Sequence, residues 1–379
     1  MKMKAIKGGR IILPDRIVEG CALLYTDVIE GIVPVDEIPN GAKIFDAAGA
    51  FVAPGLIDLH IHGYLGRDVC DSNEESLRTI ARGLVKNGIV GFLPTTMTES
   101  EKVIVDSLEA IRSVMEESKC WDGSEILGCH AEGPFISASK KGAQDEKHIK
   151  KPDAQWVNRY ADVIKIITLA PEEDENFAEI EKMQVVVSMG HTSADYDTAM
   201  KSTRHGVSHA THLFNAMTPL THRAPGVVGA ALNSDVSCEL IVDTLHVSPA
   251  LFDMVYKLKG RKLCFITDCL PAGGLEPGEY TLGGQKIIYR DNICRLLDGT
   301  IAGSVLKLNQ GVRNVYENSS IPLWECFNCA SLNPANAIGI GDRKGSLERG
   351  KDADIIVCNE NFEILKTVIR GETRYEFEG

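Results

Sequence analysis

Six side chains able to bind a metal or move a proton stand out in the sequence. They are His60 and His62 in DLHIH, Glu132 in HAEGPF, His191 in MGHTS, His212 in THLFNAM and Asp268 in ITDCLPAGG. Residues i and i+2 of a strand point the same way, so the imidazoles of His60 and His62 can reach one ion. Imidazole with carboxylate suits Zn²⁺, with Fe²⁺, Mn²⁺ or Co²⁺ as alternatives. An ion held in this way can activate water for hydrolysis. Singly, each residue has an ordinary explanation. Glu132 reads as a surface turn, His191 as a capping or core histidine, and Asp268 as a turn residue. His209 and His212, in a segment with His205, read as a partly exposed helix start. Packing does not explain why all six sit at the ends of apolar, strand-like runs.

The elements that must position them alternate along the chain. Strand-like runs occur at 51–59, 89–95, 125–129, 163–170, 184–189, 207–210, 238–242 and 262–267. Helix-like segments at 74–86, 101–117, 174–182, 195–204 and 249–258 separate most of them, and the gap after 207–210 shows no clear helix. Repeated βα units build a parallel sheet, and eight strands in about 220 residues close a barrel. An open doubly wound sheet is the alternative. Barrel enzymes gather their catalytic groups at the C-terminal ends of the strands, where these six residues fall.

The chain has 379 residues, room for one barrel plus roughly 100 more. Both ends are rich in short strand candidates, at 11–13, 21–24 and 28–33 in front and at 354–358 and 365–369 behind. Neither end supports a core alone. The expected fold is therefore α/β: a (β/α)₈ TIM barrel over residues 52–344 with a small β-sandwich domain formed by the two chain ends, 1–51 and 345–379.

Forty basic against 53 acidic residues leave a net charge of −13, which argues against nucleic-acid and anionic-membrane binding. An anionic small substrate stays open if a few positive groups are placed locally. No apolar stretch is long enough for a membrane span or a signal-peptide core. The eleven scattered cysteines read as reduced thiols of a cytoplasmic protein.

The motifs APGLIDLHIHG, HAEGPFIS with KKGA, MGHTS, THLFNAM, APGVVGA, DTLHV, TDCLPAGG, DGTIAGS and KGSLERGKDADIIV run through nearly the whole chain. With them the sequence resembles the amidohydrolase superfamily and, more closely, the N-acetylglucosamine-6-phosphate deacetylases. The resemblance implies hydrolysis of an acetamide on a phosphorylated N-acetyl amino sugar, with one or two divalent ions per subunit. It implies that Glu132, His191 and His212 hold the principal ion. His60 and His62 would add a second site that Glu132 could bridge, and Asp268 would act as acid and base. Asn215, Ala216, Arg223 and His246 match positions that contact the sugar phosphate. Ala143 and residue 144 match further substrate contacts. The family arginine serves a neighbouring subunit's site, so a homodimer is implied.

One position departs from the pattern. The family usually reads Lys-Gly-Ala-His where this chain has Lys141-Gly142-Ala143-Gln144. The Gln144 amide can donate a hydrogen bond but cannot become cationic, and His148 is the other candidate for that contact. An N-acetylgalactosamine 6-phosphate or other N-acyl amine substrate, and a non-catalytic scaffold, are the rival expectations. Cyclic-amide hydrolases that carry a carbamylated lysine are disfavoured, because Lys165 falls too early in its strand.

Overall fold

A computed structural model describes residues 2–377. The apolar runs of the middle of the chain form eight parallel strands: β1 (Leu56–Ile61), β2 (Ile89–Thr96), β3 (Cys129–Glu132), β4 (Ile164–Leu169), β5 (Val186–Met189), β6 (Val207–Ala210), β7 (Ser237–Ile241) and β8 (Leu263–Ile266). Each pairs with the next in chain order. Near-continuous apolar strands are what a sheet covered on both faces requires, and all eight residues of β2 are buried. The barrel closes between β8 and β1. The Asp268 N–H donates to the His60 carbonyl and the His62 N–H to the Cys269 carbonyl, both at 2.9 Å. Buried Asp58 pins the same seam, accepting from the Thr267 hydroxyl at 2.6 Å. The fold is an α/β (β/α)₈ barrel with β-sheets from the chain ends beside it.

The outer helices follow their sequence signals. In the helix Glu74–Leu84, Asn73 caps the N-terminus by accepting from the Ser76 N–H, and Glu74 and Glu75 occupy the first turn. Leu77, Ile80, Ala81 and Leu84 face the barrel at i, i+3, i+4 and i+7.

The two chain ends build two facing sheets. One has four strands, all from residues 4–46, and the other has six, drawn from residues 10–54 and 355–376. Ile6, Leu23 and Ile29 of the first share a core with Ile11, Val52, Ile355 and Val368 of the second. The Lys344 ammonium ties this sandwich to the foot of the barrel. It is fully buried and lies 2.6 Å from Asp354, 3.1 Å from Asp352 and 2.7 Å from Glu125.

The structure differs from the sequence expectations in five places. The third expected strand, 125–129, yields only the two-residue piece Glu125–Ile126, and the barrel strand comes after it at Cys129–Glu132. The first expected strand divides at Gly55, with Phe51–Pro54 joining the terminal sheet and Leu56–Ile61 the barrel. A Cβ at Gly55 would fall 2.2 Å from Val90 Cγ1, so the crossing needs glycine. The helix expected at 174–182 is two short 3₁₀ turns, Glu175–Phe177 and Ile180–Lys182. Asn176 and Phe177 there have φ near +56° and +59°, and Asp174 accepts from the Glu179 and Ile180 N–H groups instead. The gap after β6 does contain a helix, Gly226–Asn233, which is buried almost all round and so lacks an amphipathic period. Finally, residues 278–303 form a four-stranded antiparallel meander inserted after β8.

Candidate active site

The six chemically capable residues converge at the C-terminal mouth of the barrel. His60 lies in β1, Glu132 ends β3, and His62, His191, His212 and Asp268 each lie within two residues of a strand end. His191, His212 and Asp268 have φ of 46°, 30° and 50°. Such left-handed positions cost about 1–3 kcal/mol for a side chain with a Cβ and concentrate at functional sites. The chain turns sharply there, straight off the strand.

Glu132 is the centre of the cluster. Its Oε1 lies 3.2 Å from His191 Nε2 and 3.0 Å from His212 Nε2, and these two nitrogens are 3.1 Å apart. Its Oε2 lies 3.3 Å from His62 Nε2. His60 Nε2 is 3.2 Å from His62 Nε2 and 3.4 Å from Glu132 Oε1. Asp268 Oδ1 sits 3.4 Å and 3.6 Å from the Nε2 atoms of His62 and His60.

The opposite ring nitrogens explain this geometry. His60 Nδ1 faces Glu239 Oε2 at 2.9 Å, His62 Nδ1 the Thr95 carbonyl at 3.2 Å, and His191 Nδ1 the Lys140 carbonyl at 2.8 Å. Carbonyls and carboxylates only accept, so each Nδ1 carries a proton, which leaves each Nε2 free to give its lone pair to an ion at the centre. Lone pairs held about 3 Å apart repel unless a cation lies between them. Ligand atoms about 2.0–2.1 Å from a tetrahedral ion stand about 3.3 Å from one another, close to the spacing found here.

The charges agree. Burial disfavours the cationic imidazole of His60, but Glu132, Glu239 and Asp268 outweigh it and raise the group to about 9. His62 is likewise raised to about 10, against burial, by Asp268 and Glu132. A field that pulls protons onto buried imidazoles suits a divalent cation equally well. Two adjacent ligand sets therefore fit an ion: Glu132, His191 and His212, and His60, His62 and Asp268. A third group, His60, His130 and Glu239, is also close enough. However, both His130 nitrogens are engaged, by the Leu59 carbonyl at 3.0 Å and the Thr168 hydroxyl at 2.6 Å.

The cluster opens into a cavity of about 400 Å³. Ala143, Gln144, Asn215, Ala216 and His246 all line it, as expected from sequence, together with residues 300–303 of the inserted meander. Gln144 is buried and fully engaged. Its Oε1 accepts from the Thr98 N–H at 2.6 Å, so its Nε2 must donate, and it does so to Glu132 Oε2. It therefore steadies the central carboxylate. His148 does not replace it, for it sits beside Glu99 at 3.8 Å and does not line the cavity. Arg223 is the one expected site residue not brought in; it is exposed on a loop outside the cavity.

Sequence reasoning missed Glu239 in β7, fully buried and bonded to His60, to His209 at 3.2 Å and to the His212 N–H at 3.2 Å. The signal was available: a glutamate inside the apolar run CELIV needs partners if that run is a buried strand. The sequence around His209 suggests a partly exposed helix start. His209 is instead a fully buried residue of β6, held by that same glutamate.

A family model described as the amidohydrolase family matches residues 51–374. The N-acetylglucosamine-6-phosphate deacetylase of Bacillus subtilis is 39% identical over 348 residues, covering 89% of this chain and 88% of its own. That of Bos taurus is 31% identical over 396 residues, covering 99% and 95%. Among solved structures, the Pasteurella multocida N-acetylglucosamine-6-phosphate deacetylase superposes with a TM-score of 0.93 at 33% identity, covering 98% of this chain and 99% of that one. A mutant of the Mycobacterium smegmatis enzyme in complex with N-acetyl-D-glucosamine-6-phosphate gives 0.91 at 25% identity, covering 99% and 100%. With its barrel, its His–Glu–His cluster and these similarities together, the chain belongs to the amidohydrolase family, in the branch of the N-acetylglucosamine-6-phosphate deacetylases.

Proposed function

We propose that this chain hydrolyses the acetamide of N-acetylglucosamine 6-phosphate to glucosamine 6-phosphate and acetate, as a metal-dependent deacetylase. The observation that carries this reading is the convergence of Glu132, His191, His212 and Asp268 on one cavity in a chain of this family. Zinc suits the His–Glu donor set, with iron, manganese and cobalt as alternatives. Glu132, His191 and His212 would hold the principal ion, and His60 and His62 a second one.

An ion held there would supply a bound water with a pKa near 7 and a Lewis acid for the carbonyl oxygen. Asp268 does the proton work. Burial would raise its carboxyl, but the imidazoles of His60 and His62 outweigh burial and hold it below the usual range, so it is an ionised base. It takes a proton from the attacking water as the new C–O bond forms. It then passes that proton to the sugar nitrogen as the C–N bond breaks, leaving acetate and a free amine. His246, with Asn215 and Ala216, would bind the sugar phosphate, and Ala143 and Gln144 line the acetamide end. Binding energy from the remote phosphate fixes the acetamide over the cluster.

The test is kcat/KM for acetate release from N-acetylglucosamine 6-phosphate, its galacto epimer and the unphosphorylated sugar, with metal content measured on the same protein. The gluco phosphate should be preferred. Equal rates without phosphate, or activity in protein stripped of transition metal, would sink the reading.

Two further expectations concern the residues around the ions. Replacing Glu239 by Gln keeps the shape but removes the charge that fixes the His60 tautomer. Such outer partners typically account for about 10–100-fold in metal affinity. Dialysis against graded chelator should show that loss at the His60–His62 ion, with the other ion retained, and equal retention of both would contradict it. Gln144→His keeps a donor toward Glu132 but gives up the paired contact with Thr98. The variant should stay active with an altered rate, whereas complete inactivity would count against a steadying role.

We also read the enzyme as a cytoplasmic homodimer. Eleven free cysteines accord with a reducing compartment, and among the described residues no helix is long and apolar enough to cross a membrane. Arg223 lies exposed and away from its own cavity, which supports a contact with the partner's substrate. Co-expressing Arg223→Ala with Asp268→Asn chains should restore about a quarter of the sites, since a mixed dimer carries one intact site. No gain over the separate variants would exclude the crossed arrangement.

A further inference from the structure

Beyond these assignments, Asp243 and His246 form a closed unit at the mouth of the barrel. Asp243 follows β7 by two residues, and Thr244 turns the chain back with φ of 68°. Asp243 Oδ1 accepts the backbone N–H groups of both Leu245 and His246 at 2.8 Å. These two bonds fix its rotamer, and Oδ2 then meets His246 Nδ1 at 2.6 Å. The two side chains are 7% and 6% exposed. Behind the turn, the Asn314 amide donates to the Val242 carbonyl at 2.9 Å and holds the strand end in place.

We propose that Asp243 is a positioning residue for the substrate's phosphate: by clamping Nδ1, it aims the Nε2 of His246 into the cavity as a hydrogen-bond donor. This rests on the phosphorylated-sugar reading above. A carboxylate only accepts, so His246 Nδ1 must carry a proton, and a carboxylate 2.6 Å away favours the imidazolium, in which Nε2 carries a proton as well. His246 lines the cavity and its Nε2 has no partner among the described residues. Burial works against a cationic imidazole here, but the bond to Asp243 and the charge of Asp268 across the cavity outweigh it. The group is raised above its ordinary 6.5. The charged residue Lys140 lines the same cavity from the loop after β3. An imidazolium Nε2–H aimed at a phosphate oxygen makes a charge-assisted bond of the stronger kind.

The test uses the metal-loaded enzyme and the Asp243→Asn variant, with ¹⁵N imidazole NMR and steady-state kinetics. The His246 resonance is assigned by its loss in His246→Asn. The expected result is a wild-type His246 midpoint above 6.5 that falls in Asp243→Asn. With it, KM for the phosphorylated sugar should rise about tenfold or more, and the loss should be much smaller for the unphosphorylated sugar. An unmoved midpoint would overturn the proposal, as would a loss confined to kcat or equal for both sugars. Should the variant not fold, a wild-type midpoint at or below 6.5 overturns it alone. Failure of the underlying reading shows separately, as a wild-type enzyme indifferent to the phosphate.

Discussion

Asp268→Asn should lower kcat for acetate release by about 10²–10⁴, the usual weight of a positioned general acid–base, while leaving the ion held by Glu132, His191 and His212 in place. The substitution is nearly isosteric, so the effect isolates the proton. The backbone around residue 268 is held independently of the side chain. Its N–H donates to the His60 carbonyl, and its carbonyl accepts from the Ser304 N–H at 2.9 Å. The amide of asparagine can still occupy the space beside His60 and His62, but it cannot take a proton from water or return one to the amine. Acetate release and metal content are measured on the same sample. Activity within tenfold of wild type, or loss of the Glu132–His191–His212 ion in step with activity, would exclude the assigned role.

Glu132→Ala should cost more of the site. One carboxylate serves four imidazoles, with Oε1 facing His191, His212 and His60, and Oε2 facing His62. Without it, the ligand sets lose their shared anion and the buried histidines lose a principal neutralising charge. Electrostatic stabilisation by a catalytic ion amounts to several kcal/mol, so a fall in kcat/KM of about 10³ or more is expected. Excess metal should not restore it. Metal analysis should show the Glu132–His191–His212 ion missing, and a variant that retained that ion and near-normal activity would refute the central place given to Glu132. Chelation of the wild-type enzyme should give a similar loss, reversed on adding metal back.

The site was legible in the sequence to an unequal degree, for physical reasons. Ligand residues sit directly beyond apolar strands, and local periodicity reveals strands, so His60, Glu132, His191, His212 and Asp268 could be placed on one rim before any contact was known. Glu239 was harder to see because it lies within a strand, where a charge reads as an interruption until its partners on β1 and β6 are known. The 174–182 segment failed for the opposite reason. Its composition suits a helix, yet Asp174 offers its carboxylate to the same N–H groups that a helix would use. Gln144 was noticed as a departure, but its engagement by Thr98 and Glu132 depends on residues 46 and 12 positions away.

What the sequence determined alone was the βα alternation, the eight strands and the kinds of ligand at their ends. It also determined that both termini are too short to fold apart. These follow from side-chain period and residue chemistry, which act over a few neighbouring residues. Tertiary structure alone decided which Glu132 oxygen meets which imidazole, and that Glu239 and the carbonyls of Thr95 and Lys140 set the tautomers of three histidines. It also decided that a meander closes one cavity wall. These depend on strand register and barrel closure. Both bring together atoms far apart in the chain to within 3 Å, and no local pattern encodes that distance.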